Sequence, residues 1–289
     1  PPHSPLSPKE REPRQREFQV HSISWNITQR CNLKCAHCYL DASSLEEEAE
    51  GELTTEECLR TLDQIAEVNP HPFLILTGGE PLLRKDLFEI AHYAAGRGFT
   101  VVLGSNGTLI DLSVAREMAR HRIQGAGISL DSLDPELHDA FRGVRGAWEN
   151  ALRGIAALRE AGLPFLIQAT VTRENCGQIP RLVEFSRQLG AQAFYLFFLV
   201  CTGRGQGLTD LSPHQYEETL VHLFELQRGD SRPMRVTARC APHYRRLVYQ
   251  RDPSSPLLKA YAGGCPAGTH YCRISPEGDI TPCPYLPLS

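Results

Sequence analysis

The feature that most restricts the fold is a repeated alternation of β-rich and helix-like segments. Phe18 to Thr28 precedes Thr54 to Val68, Phe73 to Thr77 precedes Asp86 to Arg97, and Phe99 to Leu103 precedes Leu112 to His121. Ala126 to Leu130 then leads into Ala147 to Ala161, Phe165 to Thr172 into Ile179 to Leu189, and Ala193 to Val200 into Pro213 to Gln227. Six βα units in succession imply parallel strands with right-handed crossovers and helices on the outside. An open doubly wound sheet and a barrel both satisfy that pattern. In either, catalytic groups belong on loops at the C-terminal ends of the strands. The expected organisation is a disordered arm over 1–17, Pro-rich and charged, then an α/β core over 18–230. Over 231–289 the alternation gives way to a loop-rich module with frequent Pro, Gly and Cys.

A content of 41% hydrophobic and 22% charged residues excludes wholesale disorder. With 30 Lys+Arg against 34 Asp+Glu the net charge is -4, so no general field attracts nucleic acid or an anionic membrane. Apolar runs such as Ala193 to Val200 fall far short of the roughly 20 residues that cross a bilayer, and no secretory segment opens the chain. A cytoplasmic protein with neither nucleic acid nor membrane partners is expected. The acidic run Glu46-Glu47-Glu48-Ala49-Glu50 reads as a solvated loop. In a reducing compartment the 10 cysteines point to metal rather than disulfides. Position 1 is Pro rather than Met, and the chain stops soon after Cys283, so a piece of a longer protein is expected.

Cys31, Cys35 and Cys38 lie on the loop after the first strand. Three thiolates so close can fold around three corners of one iron-sulfur cubane and leave one iron without a protein ligand. The alternative is a structural zinc site completed by His37 or a distant residue; zinc motifs, however, usually present paired CxxC units. After the second strand comes Thr77-Gly78-Gly79-Glu80-Pro81, whose glycines by themselves require only a turn. Near the C-terminus, Pro276-Glu277-Gly278-Asp279 is a hairpin signal that brings Cys272 back towards Cys283. Cys240 reads equally as a fourth thiol ligand or as a buried small apolar residue.

On these motifs the chain resembles the radical S-adenosylmethionine superfamily over about Ile23 to Gly205. The resemblance implies a partial (β/α)6 barrel, with Cys31, Cys35 and Cys38 holding a 4Fe-4S cluster whose open iron binds S-adenosyl-L-methionine. It places His37 in the same cofactor site and Gly78, Gly79, Glu80 and Pro81 at the methionine amino group. Ser105 and Asn106 fall in the ribose-contact region, Ser129 and Arg142 at the methionine carboxylate, and Thr170 and Gly203 at the adenine. A guanidinium suits a carboxylate because it donates two parallel hydrogen bonds, although Arg142 pairing with a surface acid is the simpler alternative. The segment from Gly264 to Cys283 is similar to the opening of a SPASM domain, in which Cys265, Gly278 and Cys283 fit the pattern. That likeness implies one or more auxiliary iron-sulfur clusters, with Cys240, Cys265, Cys272 and Cys283 as candidate ligands and further ligands downstream, so the module is expected to be incomplete.

Cys240-Ala241-Pro242-His243 ahead of Gly264-Cys265-Pro266-Ala267-Gly268, with Pro282-Cys283-Pro284-Tyr285-Leu286-Pro287 at the end, resembles the radical enzymes of haem d1 formation and the siroheme-dependent haem route. The implied activity is that of a radical S-adenosylmethionine oxidoreductase or lyase. Such an enzyme cleaves its cosubstrate reductively to a 5'-deoxyadenosyl radical and removes or decarboxylates side chains of an iron porphyrinoid, a small-molecule substrate. A low-potential donor such as flavodoxin or ferredoxin is implied. His243, Tyr244, His270 and Tyr271 are candidates to ligate or cover a macrocycle. Maturation of a ribosomally made peptide and a non-catalytic iron-sulfur electron carrier stay open as alternatives.

Overall fold

Along β5 (Phe165–Val171) the buried Phe165, Ile167, Ala169 and Val171 alternate with the half-buried Leu166, Gln168 and Thr170. The first set joins the main hydrophobic core under the outer helices, and the second lines the interior of the sheet. The same two-sided pattern runs through β3 (Thr100–Ser105) and β6 (Ala193–Phe198). This is the computed structural model of the chain, and it describes residues 21–42, 51–208, 210–228, 234–260 and 265–286. The arm over 1–17, the start of the first segment at Phe18 and the acidic run at 46–50 lie outside the described residues.

Helix starts follow local chemistry. Before α1 (Thr55–Val68), Thr54 and Glu57 form a reciprocal capping box. Asp111 caps α3 (Leu112–Arg120), and Asp134 with Pro135 at the first position starts α4 (Pro135–Arg142). The remaining helices of the six-unit core are α2 (Leu87–Gly96), α5 (Ala147–Glu160), α6 (Ile179–Gln188) and α7 (Pro213–Arg228).

The strands β1 (Ser22–Asn26), β2 (Phe73–Thr77), β3, β4 (Ala126–Ser129), β5 and β6 pair in sequence order, all parallel. The result is the partial barrel. The alternation does not end near residue 230. β7 (Arg235–Arg239) adds in parallel to β6, with Phe197 opposite Arg239, and α8 (Tyr244–Arg251) and α9 (Leu257–Ala260) follow. β8 (Tyr271–Ile274) adds in parallel to β1, with Ser24 opposite Arg273. β9 (Ile280–Thr281) closes an antiparallel hairpin on β8 at the expected turn, where Gly278 has a φ of 94°. The C-terminal segments therefore supply both edges of the sheet, whose order is β7-β6-β5-β4-β3-β2-β1-β8-β9. Among the described residues, no helix is long and apolar enough to cross a membrane.

Candidate functional site

The loop after β1 is held from three sides. From α4, the carbonyls of Arg142 and Phe141 accept the N–H groups of Lys34 (3.1 Å) and Ala36 (2.9 Å). From the loop after β6, the Arg204 N–H donates to the Cys38 carbonyl (3.0 Å), and its Nε donates to the Cys35 carbonyl (2.9 Å). Its Nη1 reaches the Ala42 carbonyl and Asp41, each at 2.8 Å. From β2, Gly79 N–H donates to the Thr28 carbonyl (2.8 Å) and Glu80 N–H to the Arg30 carbonyl (2.7 Å).

That last contact explains the two glycines. A Cβ on Gly79 would stand 2.1 Å from the Arg30 carbonyl oxygen, and one on Gly78 2.5 Å from that of Thr28. The bare turn thus lets the β2 loop lie against the strand leading to the cysteines. Glu80, fully buried, caps the short 3-10 turn Pro81–Leu83 and accepts from Ser105 Oγ (2.9 Å), Asn106 N–H (2.9 Å) and Leu82 N–H (3.3 Å). Burial pushes its pKa up to about 7 against those hydrogen bonds. Asn106 Nδ2 donates to Asn32 Oδ1 (2.9 Å), tying the β3 loop to the cysteine loop as well.

Cys31 and Cys35 are buried and Cys38 half-buried, all as free thiols. Burial pushes the Cys31 thiol up to about 12 and also raises Cys35, where the charge of Arg142 opposes it. As bare thiols Cys31 and Cys35 stay protonated at neutral pH; metal binding is what would draw them to thiolates. His37 is half-buried and lies flat on Phe141, with ring centroids 4.3 Å apart. Burial, then the Arg142 charge, depresses its pKa to about 3, and its Nδ1 is buried without a hydrogen-bond partner. Among the described residues no three Cys, His, Asp or Glu side chains converge as ligands of a single metal ion. Three free thiols spread along one clamped loop suit a group with several irons better than zinc.

The remaining candidates fall in different places. Arg142 is buried and its guanidinium is committed to Asp131 and, at 3.8 Å, to the Cys35 sulfur, so the surface-pair alternative does not hold. Ser129 and Thr170 stand on the interior face at the ends of β4 and β5, and the Thr170 N–H donates to Asp131 (2.9 Å). Gly203, in left-handed backbone with a φ of 55°, packs on the cysteine loop, where a Cβ would meet the Cys38 carbonyl oxygen at 2.4 Å. Its place is explained by that packing. Cys265 and Cys283 both lie within electrostatic reach of Cys240. Cys272 is not brought to that group: on β8 it alternates with Tyr271 and Arg273, which face inward, and it packs half-buried against the outer core.

Of the macrocycle candidates, Tyr244 is fully buried with its hydroxyl on Gln227, so it is a core residue. His270 sits at the N-terminal end of β8, where its carbonyl accepts from His21 and Ser22, away from the cysteine loop. His243 packs against Phe198 and Tyr216, and Tyr271 faces the interior. Sequence reasoning passed over Asn32, Tyr39, Arg204 and Tyr285. Arg204 and Tyr285 had a signal, the first inside the Gly203-Arg204-Gly205 loop at the end of β6 and the second inside the C-terminal Pro-Cys-Pro-Tyr-Leu-Pro motif.

The profile of the Radical SAM superfamily matches residues 25–185. The chain is 39% identical over 274 residues to the AdoMet-dependent heme synthase of Methanosarcina barkeri (strain Fusaro / DSM 804), covering 92% of this chain and 77% of that protein. To the pre-heme d1 synthase of Dinoroseobacter shibae (strain DSM 16493 / NCIMB 14021 / DFL 12) it is 41% identical over 279 residues, covering 91% of this chain and 68% of that one. In fold it matches the crystal structure of Streptococcus suis SuiB bound to S-adenosylmethionine with a TM-score of 0.74 at 19% identity, over 92% of this chain. The chain spans 60% of the SuiB chain's length. With the clamped triple-cysteine loop and the buried Glu80 turn at the C-terminal ends of adjoining strands, these matches place the chain in the Radical SAM superfamily, a family of enzymes.

Proposed function

We propose that this enzyme cleaves S-adenosyl-L-methionine reductively and uses the resulting radical to remove or decarboxylate side chains of an iron porphyrinoid. The observation that carries the reading is identity of 39% and 41% to proteins named heme synthase and pre-heme d1 synthase, over more than nine-tenths of the chain. When bound, a 4Fe-4S cluster supplies the electron that breaks a carbon-sulfur bond of the cosubstrate. Cys31, Cys35 and Cys38 hold it, while Arg204, Phe141 and the Gly78-Gly79 turn fix the loop that carries them. Glu80 offers a carboxylate, Pro81 shapes the turn behind it, and Asn106 and Ser105 orient it. Ser129, Thr170 and His37 line the same end of the barrel.

The core is assigned to 18–230 and an auxiliary-cluster module to 231–289, with Cys240, Cys265 and Cys283 as its grouped thiols. The electron comes from a low-potential donor such as flavodoxin or ferredoxin, and the reaction is placed in the cytoplasm. The test is anaerobic turnover of iron- and sulfide-reconstituted protein with siroheme-derived iron porphyrinoids. 5'-Deoxyadenosine should accumulate with a decarboxylated or shortened macrocycle. Cosubstrate cleavage that no such macrocycle stimulates, but that a precursor peptide does, would replace this reading with the peptide-maturase one.

A further inference from the structure

Two arginines on the inner face of the sheet make no direct ion pair with a carboxylate among the described residues. Arg239 ends β7 and Arg273 lies in β8, so they stand on strands near opposite edges of the sheet. Both are half-buried, and among the described residues neither forms an ion pair with a carboxylate. The guanidinium of Arg239 lies 4.3 Å over the ring of Tyr195, a stacking that leaves its edge donors free. Among the described residues Arg273 donates a hydrogen bond through Nε alone, to Asn26 Oδ1 (2.6 Å). Glu277 is within electrostatic reach of Arg273 but accepts from Gln29 Nε2.

A chain of contacts links the two arginines. Asn26, which accepts from Arg273, donates through Nδ2 to the Tyr39 hydroxyl (3.0 Å). Tyr39 meets Tyr285 edge-on at 5.4 Å. Tyr285 in turn is within electrostatic reach both of Cys240, next to Arg239, and of Tyr271, two residues before Arg273. A charge half out of water without a directly paired counter-ion is costly unless a ligand supplies one, and guanidinium groups bind carboxylates in pairs of parallel hydrogen bonds.

We propose that Arg239 and Arg273 anchor the carboxylate side chains of an anionic macrocyclic substrate, with the rings of Tyr39, Tyr195 and Tyr285 along its face. This rests on the tetrapyrrole reading above and names the residues that select for acidic side chains. The experiment titrates anaerobic full-length protein, followed by the Soret band, with iron coproporphyrin III and with its tetramethyl ester.

Wild type should prefer the acid form. Arg239→Gln and Arg273→Gln should each weaken its binding by roughly 10- to 100-fold, with Lys variants intermediate and the ester unaffected. The response to S-adenosyl-L-methionine and the melting temperature control for folding. Should a Gln variant fail to fold, the wild-type acid-to-ester ratio and the Lys variants still decide. Equal affinity of wild type for acid and ester, or Gln variants that bind the acid as wild type does, would overturn the anchor and leave the tetrapyrrole reading intact. No binding of either compound to wild type would overturn both. Iron loss in Arg239→Gln with unchanged porphyrin affinity would make Arg239 a support of the neighbouring cysteines instead.

Discussion

Arg142 and Asp131 meet inside the barrel wall, where Nε and Nη2 of the guanidinium both lie 2.7 Å from the same carboxylate oxygen, Oδ2. Burial opposes ionisation of Asp131, but the Arg142 charge beside it prevails and holds the carboxyl below its usual range. His138 adds no second charge: burial lowers its pKa to about 4, and its Nδ1 accepts the Asp131 N–H (3.2 Å). With Nη1 near the Cys35 sulfur, the pair ties the barrel wall to the cysteine loop.

Removing one partner strands the other. Arg142→Ala should destabilise the protein by about 3–5 kcal/mol, because a buried carboxylate loses its counter-ion. Asp131→Ala with Arg142→Ala should recover part of that loss. Anaerobic denaturation of the single and double variants measures the coupling, and strict additivity would show that the pair carries none.

Cys31, Cys35 and Cys38 should behave as one unit, since loss of any one exposes an iron. Each Ala variant should give no 5'-deoxyadenosine and bind about one cluster fewer than wild type by iron and sulfide analysis, with circular dichroism unchanged. A single variant that retains near wild-type cleavage would remove that cysteine from the ligand set.

Glu80 gives a pH signature. Its carboxyl titrates near 4.5 in the unfolded chain and near 7 when folded, because burial disfavours the charge. Between those values the unfolded chain has already released a proton that the folded chain keeps, so stability falls as pH rises. The loss amounts to about 3 kcal/mol by pH 7. Glu80→Gln should flatten that slope in midpoints measured from pH 4.5 to 7.5. A difference between variant and wild type that stays constant with pH would show that Glu80 ionises freely.

At Gly79 the clash is with backbone rather than with a flexible side chain, so the strand and the turn must part. Gly79→Ala should cost about 1–3 kcal/mol and reduce cluster loading more than it lowers helix content. Iron content read beside circular dichroism checks this; full loading would show that the turn has room to spare.

The six central βα units were legible because their strands carry apolar runs such as Phe73-Leu74-Ile75-Leu76 and their helices strong amphipathic repeats. β7 reads Arg-Val-Thr-Ala-Arg and β8 Tyr-Cys-Arg-Ile, and neither offers an apolar run long enough to stand out. The three-cysteine loop was legible because its residues are contiguous. The side on which Cys272 lies was not legible, because a hairpin signal tells that two segments meet, not which face each side chain takes. The company of Arg142 was hidden for a related reason. Asp131 and Arg142 are 11 residues apart, and only the path through α4 returns the guanidinium to the end of β4.

β1, the strand that leads into the cysteine loop, has β8 as its neighbour on one side, and β8 lies far along the chain at Tyr271–Ile274. During synthesis β1 must therefore wait, with one hydrogen-bonding edge unpaired, until some 245 residues further on have emerged. A nascent barrel of the six central units is an open template at the very strand that presents the thiols. Truncation before β8 should thus produce a protein that pairs with itself along β1, and stable loading of the loop belongs after β8 has emerged and paired rather than before.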